Sequence, residues 1–294
     1  MPRTRTVRVA STTLAAALLL TLGLTACTTQ STTTSTKPTT SRSATPTPTA
    51  DPYRAPSAAV VSTLPEAQYD AVIGGLLPYY DATIPKTADE SYTISADAPL
   101  YGDDRAKPVA RLGAKNFLGD PTVVVPVQVS GAWAMVMTPA RQALPSAVQS
   151  GAAAQSAAWI RRDLLTKKTA LADHVVISVG KQTVAIVGTD GKTVKEFPAG
   201  VGAGGTPTPT GVVGYIQARY LDPAQNQTVH PIQLTTLHSS AADEPYGGHD
   251  GGLIGVHYES VARGAVSHGC VRLDGDAVDA VNALPLGTVV QIVA

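Results

Sequence analysis

From Ser91 to the C-terminus, short runs of β-branched and apolar residues are cut by Gly, Pro and Asp. That punctuation leaves room for strands and little for helices. Residues 92–94, 109–112, 123–129 and 132–136 read as strands, with Ser130-Gly131 as a tight hairpin between the last two. A polar Ala/Ser/Gln loop over 144–156 precedes a closing strand at 158–161. A second β-rich unit starts at Asp173, with strands expected over 174–179, 181–187, 193–197, 212–220, 253–257 and 288–293. Thr189-Asp190-Gly191-Lys192 supplies a strong hairpin turn within it. One short helix is expected over 276–283, capped by Asp274 and stopped by Pro285-Leu286-Gly287. No internal repeat is evident. The expected fold class is mostly β, with few and short helices.

Ahead of these strands, residues 57–90 form a short helical segment. Thr63-Leu64-Pro65-Glu66 has the form of a capping box with proline in the first turn, and Ala67, Val72, Leu76 and Leu77 follow at mostly helical spacing. Gly74-Gly75 weakens the middle, so one or two short helices are expected. Across 91–165, the order of PLYGDD, VARL, GAWAMVM and AWIRRDLL resembles a small bacterial SH3-like β-barrel, which implies positioning or binding. A purely structural subdomain fits the same pattern.

The N-terminus speaks to compartment. Arg3, Arg5 and Arg8 precede an apolar run over 14–24, the length of a signal-peptide core and short for a membrane span. Leu24-Thr25-Ala26-Cys27 then resembles a bacterial lipobox. The resemblance implies a signal peptide over 1–26, lipidation of Cys27, and an exported protein anchored in the cell membrane and facing the cell wall. Residues 27–56 are a Thr/Ser/Pro linker with almost nothing to bury, expected to stay extended. Lys plus Arg and Asp plus Glu both number 22, so the neutral chain has no electrostatic reason to seek nucleic acid.

The chain has two cysteines, and a lipidated Cys27 leaves Cys270 without an intramolecular partner. A lone thiol in an exported protein is either a buried bystander or a reactive group. Its surroundings favour reactivity. A free thiol with a pKa of about 8.5 needs a base, and attack on a carbonyl needs amides for the oxyanion. His257 closes an apolar strand upstream, and Ser267-His268-Gly269-Cys270 places a second imidazole and a glycine beside the sulfur. Other motifs fail on context. The glycines of 200–205 spell a dinucleotide-binding pattern, but prolines stand where its helix should begin. Ser267 lacks the glycine of a hydrolase elbow because Ala265 occupies that place. No His-Glu-x-x-His occurs, and His174, His230, His238 and His249 have no metal-ligand spacing.

Ile254-Gly255-Val256-His257, followed by Ala265-Val266-Ser267-His268-Gly269-Cys270-Val271-Arg272-Leu273, resembles the active-site signature of L,D-transpeptidases of the YkuD family. The Thr208-Pro209-Thr210-Gly211 turn and the C-terminal LPLGTVVQI are similar too, so the resemblance covers 173–294. It implies a β-rich catalytic domain that cross-links peptidoglycan stem peptides, uses no cofactor, and is acylated by carbapenem-type β-lactams. Cys270 is then the nucleophile and His257 its base, oriented by the Tyr258 carbonyl. Gly269 and Cys270 offer oxyanion amides, Ser267 and His268 shape the site, and Arg272 is structural or binds a substrate carboxylate. Tyr258-Glu259-Ser260 departs from the Gly-Thr-Asn common in the family, and the loop from His257 to Ser267 is short, which bears on substrate detail. Two alternatives stay open: an L,D-carboxypeptidase using the same thioester, and a non-catalytic wall-binding lipoprotein.

Overall fold

A computed structural model describes residues 53–148, 151–242 and 251–294. Cys27, its signal peptide, most of the linker and His249 lie outside the described residues. In chain order the N-terminal half holds α1 (Ala58–Ser62), β1 (Leu77–Tyr79), β2 (Glu90–Ile94), β3 (Ala98–Tyr101), β4 (Pro108–Leu112) and β5 (Val123–Val124). It continues with β6 (Pro126–Ser130), β7 (Trp133–Thr138), β8 (Gln155–Arg161) and β9 (Leu165–Ala170). The second half holds β10 (Asp173–Ser178), β11 (Thr183–Gly188), β12 (Thr193–Pro198), β13 (Gly200–Val201), β14 (Val212–Asp222) and β15 (Gln227–His238). After these come β16 (Leu253–Tyr258), β17 (Val271–Leu273), α2 (Gly275–Asn282) and β18 (Val289–Val293). Among the described residues the fold is mostly β, as the alternating sequence required, and no helix is long and apolar enough to cross a membrane.

In the N-terminal half, β4-β3-β8-β7-β6 form one sheet with β1 on β8, and β5-β2-β9 form another. Ile94, Val124, Leu100, Val136 and Ile160 bring both sheets into one core. The likeness to an SH3-like barrel rests on strand rhythm and the two Trp positions alone. The C-terminal half is a single sheet of order β12-β11-β10-β18-β14-β15-β16-β17-β13. Its pairings are antiparallel except β10 with β18 and β16 with β17. Asp274 caps α2 by accepting from the Ala277 N–H at 3.0 Å, as its sequence position predicts. Ala277, Val278 and Val281 then pack in the core with Ile254, Val256, Val271 and Leu273. Each Val, Leu or Ile side chain buried to that extent contributes roughly 1.5–3 kcal/mol.

The halves are bolted together. Val125, Met137, Val213, Tyr215 and Val289 form one buried cluster across the seam, and the Tyr215 hydroxyl donates to the Val123 carbonyl at 2.9 Å. Arg141, 7% exposed, sends its guanidinium to the carbonyls of Ser239 (2.8 Å), Gly252 (3.4 Å) and Gly251. His238, 2% exposed, donates from Nε2 to the Tyr69 carbonyl at 3.0 Å.

Local expectations fail in instructive places. Thr63-Leu64-Pro65-Glu66 starts no helix. Thr63 ends α1, and Glu66 turns to the Arg111 guanidinium at 2.5 Å. Beyond α1, Gly75 lies so close to Val109 that an added Cβ would stand 2.7 Å from its side chain. The segment therefore spreads along β4 as turns. The run 123–129 breaks at Val125, because Pro126 has no N–H to continue a ladder. The loop over 144–156 ends early. Gln155 and Ser156 are buried in β8, where the Gln155 side-chain oxygen accepts from the Thr236 hydroxyl at 2.6 Å. β15 is absent from the sequence reading altogether. It carries Pro231 and a Thr-rich stretch, and it forms because β14 and β16 flank it.

Candidate active site

Alternation along β16 divides its residues. Ile254 and Val256 are buried in the core, so Gly255 and His257 face the other side of the sheet. β17 runs parallel beside it with His257 opposite Arg272, which sets Cys270 beside Gly255, on the same face as His257. The Gly255 N–H donates to the Cys270 sulfur at 3.4 Å, and the sulfur faces the Leu253 carbonyl at 3.7 Å. An added Cβ at Gly255 would stand 3.8 Å from that sulfur, in ordinary contact. His257 stands two residues along the strand, about 6.6 Å by strand rise. Cys270 and the upstream His257 thus share one sheet face.

His257 Nδ1 lies 3.1 Å from the Tyr258 carbonyl. A carbonyl only accepts, so Nδ1 carries the proton and Nε2 keeps a lone pair. Burial pushes the imidazole below its ordinary value, and Arg272 adds to this against the Tyr258 carbonyl and Glu259. Burial pushes the Cys270 thiol up, opposed by the Gly255 N–H and by Arg272. Both shifts favour the uncharged forms of the thiol and the imidazole.

The loop before Cys270 is pinned from below. The Ser267 carbonyl accepts from the Thr206 hydroxyl at 3.1 Å and the Ala203 N–H at 2.8 Å. The Gly269 carbonyl accepts from the Thr208 hydroxyl at 2.8 Å. Because a trans peptide is planar, holding the Gly269 carbonyl downward turns the Cys270 N–H to the opposite side. Gly269 adopts φ 100, a conformation suited to glycine. Gly202 lets the threonine segment approach, since an added Cβ there would stand 2.5 Å from the Thr208 nitrogen.

The remaining site residues divide. Ser267 is fully buried with its hydroxyl unpartnered, and His268 is exposed. Arg272 shares the face of Cys270, with its Nε buried and unpartnered. Among the described residues no three His, Cys, Asp or Glu side chains gather as a metal site. Sequence reasoning missed Thr206 and Thr208 as supports and Gly255 as the seat of the sulfur. It also missed Gln227, whose Nε2 donates to the Tyr258 carbonyl at 2.9 Å. Period-2 spacing from His257 was the available signal for Gly255; the other three act across long chain separations that leave no local trace.

Residues 172–292 match the YkuD family, the L,D-transpeptidase catalytic domain. This part of the chain is similar to that family. The YkuD match embraces the site just described, from β10 through β18. No curated protein shows a significant match. Among solved structures, an L,D-transpeptidase from Mycobacterium smegmatis is 17% identical, with a TM-score of 0.35, covering 59% of this chain and 91% of that one. An L,D-transpeptidase from Mycobacterium tuberculosis H37Rv is 15% identical, with a TM-score of 0.36, covering 76% and 98% respectively. A solved L,D-transpeptidase in complex with imipenem is 17% identical, with a TM-score of 0.35, covering 58% and 91%.

Proposed function

We propose that the YkuD domain of this chain forms 3→3 peptidoglycan cross-links through a thioester on Cys270. The observation that carries the reading is the shared sheet face of Cys270 and His257, with His257 Nδ1–H held by the Tyr258 carbonyl. Nε2 of His257 takes the thiol proton as Sγ attacks the carbonyl carbon of the third residue in a donor stem. The developing oxyanion draws on the Cys270 N–H, with the Gly269 N–H as a second donor. The C–N bond to the terminal D-alanine breaks, and His257 returns the proton to the leaving amine. An amine on a neighbouring stem then attacks the thioester and gives its proton to His257. As the C–S bond breaks, the thiolate takes that proton back. The steps balance without a cofactor.

Arg272, on the same face, is positioned to pair with a stem carboxylate. Cys27 is the lipid attachment site that holds the exported enzyme at the membrane, with 28–56 as its tether toward the wall. Carbapenem-type β-lactams acylate the same sulfur. Intact-protein mass after incubation with a carbapenem tests the nucleophile: wild type gains one adduct, and Cys270→Ala gains none. No adduct on folded wild-type protein overturns the reading. Muropeptide analysis then tests the acceptor. New dimers joined through third residues support transfer, and trimmed tripeptides without dimers replace it with an L,D-carboxypeptidase.

A further inference from the structure

We infer that Gln227 is a positioning residue for the catalytic base, acting through the Tyr258 carbonyl. This rests on the reading of His257 as the base of Cys270.

The Tyr258 oxygen has two lone pairs and two donors: His257 Nδ1–H at 3.1 Å and the Gln227 amide at 2.9 Å. Gln227 opens β15 beside the β14–β15 turn and is 3% exposed. Its nitrogen also faces the Gln225 carbonyl at 3.4 Å, and two carbonyl partners fix which end of the amide is nitrogen. Its own oxygen is buried with no hydrogen-bond partner. A buried unpaired acceptor opposes folding. An apolar side chain of that size would avoid the penalty, so what the amide contributes lies in its donor.

Tyr258 is held by more than this bond. His230 packs its ring against Tyr258 with centroids 5.0 Å apart, and His230 Nδ1 meets Asp279 of α2 at 2.7 Å. The Glu259 N–H donates to the Leu273 carbonyl at 2.9 Å, fixing the chain just after Tyr258. The Glu259 N–H lies in the same planar peptide as the Tyr258 carbonyl, so its bond to Leu273 turns that carbonyl away from β17, and the Gln227 amide is the donor that holds the oxygen on the far side. The carbonyl selects the Nδ1–H tautomer of His257 and receives the stronger bond when His257 becomes an imidazolium. The charged groups facing His257 are Glu259 and Arg272, and neither reaches through the Tyr258 carbonyl.

The test is the rate of Cys270 acylation by a carbapenem across pH, read by mass, for wild type, Gln227→Met and Gln227→Glu. Methionine fills the space without a donor. Its acylation rate is expected to fall about tenfold, the worth of one ordinary hydrogen bond, with its acid limb displaced. Glutamate discriminates orientation from packing. Protonated, its carboxyl O–H can donate to Tyr258; ionised, it cannot. The glutamate variant should therefore approach the wild-type rate at low pH and lose it through an added alkaline-side fall. A wild-type rate and unshifted profile in the methionine variant overturn the inference. So does a glutamate variant whose profile merely parallels wild type, and that arm stands if methionine prevents folding. Failure of wild type itself to be acylated refutes the proposed function instead.

Discussion

Lowering the pH to 4 should remove about 3 kcal/mol of stability through one side chain, His238. Its imidazole is 2% exposed and is pushed down from 6.5 to about 3. Burial is the main cause and the neighbouring Arg141 guanidinium the second, while bonds to the Tyr69 and Thr236 backbone pull weakly the other way. Above pH 6.5 the ring is neutral in both folded and unfolded chains, so it adds no pH dependence there. Below 6.5 the unfolded chain takes up a proton that the folded protein refuses. Stability then falls by about 1.4 kcal/mol per pH unit until pH 3, where the folded ring also protonates. Against a typical total of 5–15 kcal/mol, a loss of this size is readily measured. Carboxylates also act in this range, so the comparison is with His238→Gln, whose amide can still donate to Tyr69 and does not titrate. Urea unfolding followed by circular dichroism at pH 7, 5 and 4 gives both curves. Wild type should lose about 3 kcal/mol more than the glutamine variant between pH 7 and 4. Parallel curves would falsify the assignment of a buried neutral histidine.

Two other outcomes follow from the same geometry. Arg141→Met removes charge-assisted bonds to the Ser239 and Gly252 carbonyls across the seam, so unfolding free energy should drop by about 3 kcal/mol or more, measured by urea denaturation. Carbapenem acylation of Cys270 should lose its rate on the acid side with a midpoint below 6.5, since the lowered His257 stays a neutral base there; a midpoint at or above 6.5 contradicts this.

Much of the catalytic half was legible because its signals are local. Ile254 and Val256 against Gly255 and His257 give the two faces of β16 directly. Asp274 announces α2 by the hydrogen bond it makes three residues on. Cys270 and His257 sit in a motif whose spacing survives folding, because β16 and β17 are neighbours. What stayed hidden depends on distant partners. Thr206 and Thr208 find their carbonyls only after the chain returns 61 residues later. β15 carries Pro231 and weak alternation, and two flanking strands override both. Over 57–80, helical spacing competes with the close approach of Gly75 to Val109 and with the Glu66–Arg111 pair. Those tertiary contacts win after a single turn of helix.

The place of β18 governs the order of events in folding. Residues 289–293 lie in mid-sheet, with β10 on one edge and β14 on the other. Cys270 precedes that strand in the chain. Until it arrives, the hairpins of β10–β12 have no backbone ladder to the β14–β17 block. Joining strands so far apart in sequence is a slow, late step. During that interval the thiol lacks the completed sheet around it, so it should react as an ordinary exposed cysteine. Pulse alkylation during refolding of the denatured chain would record when that reactivity changes.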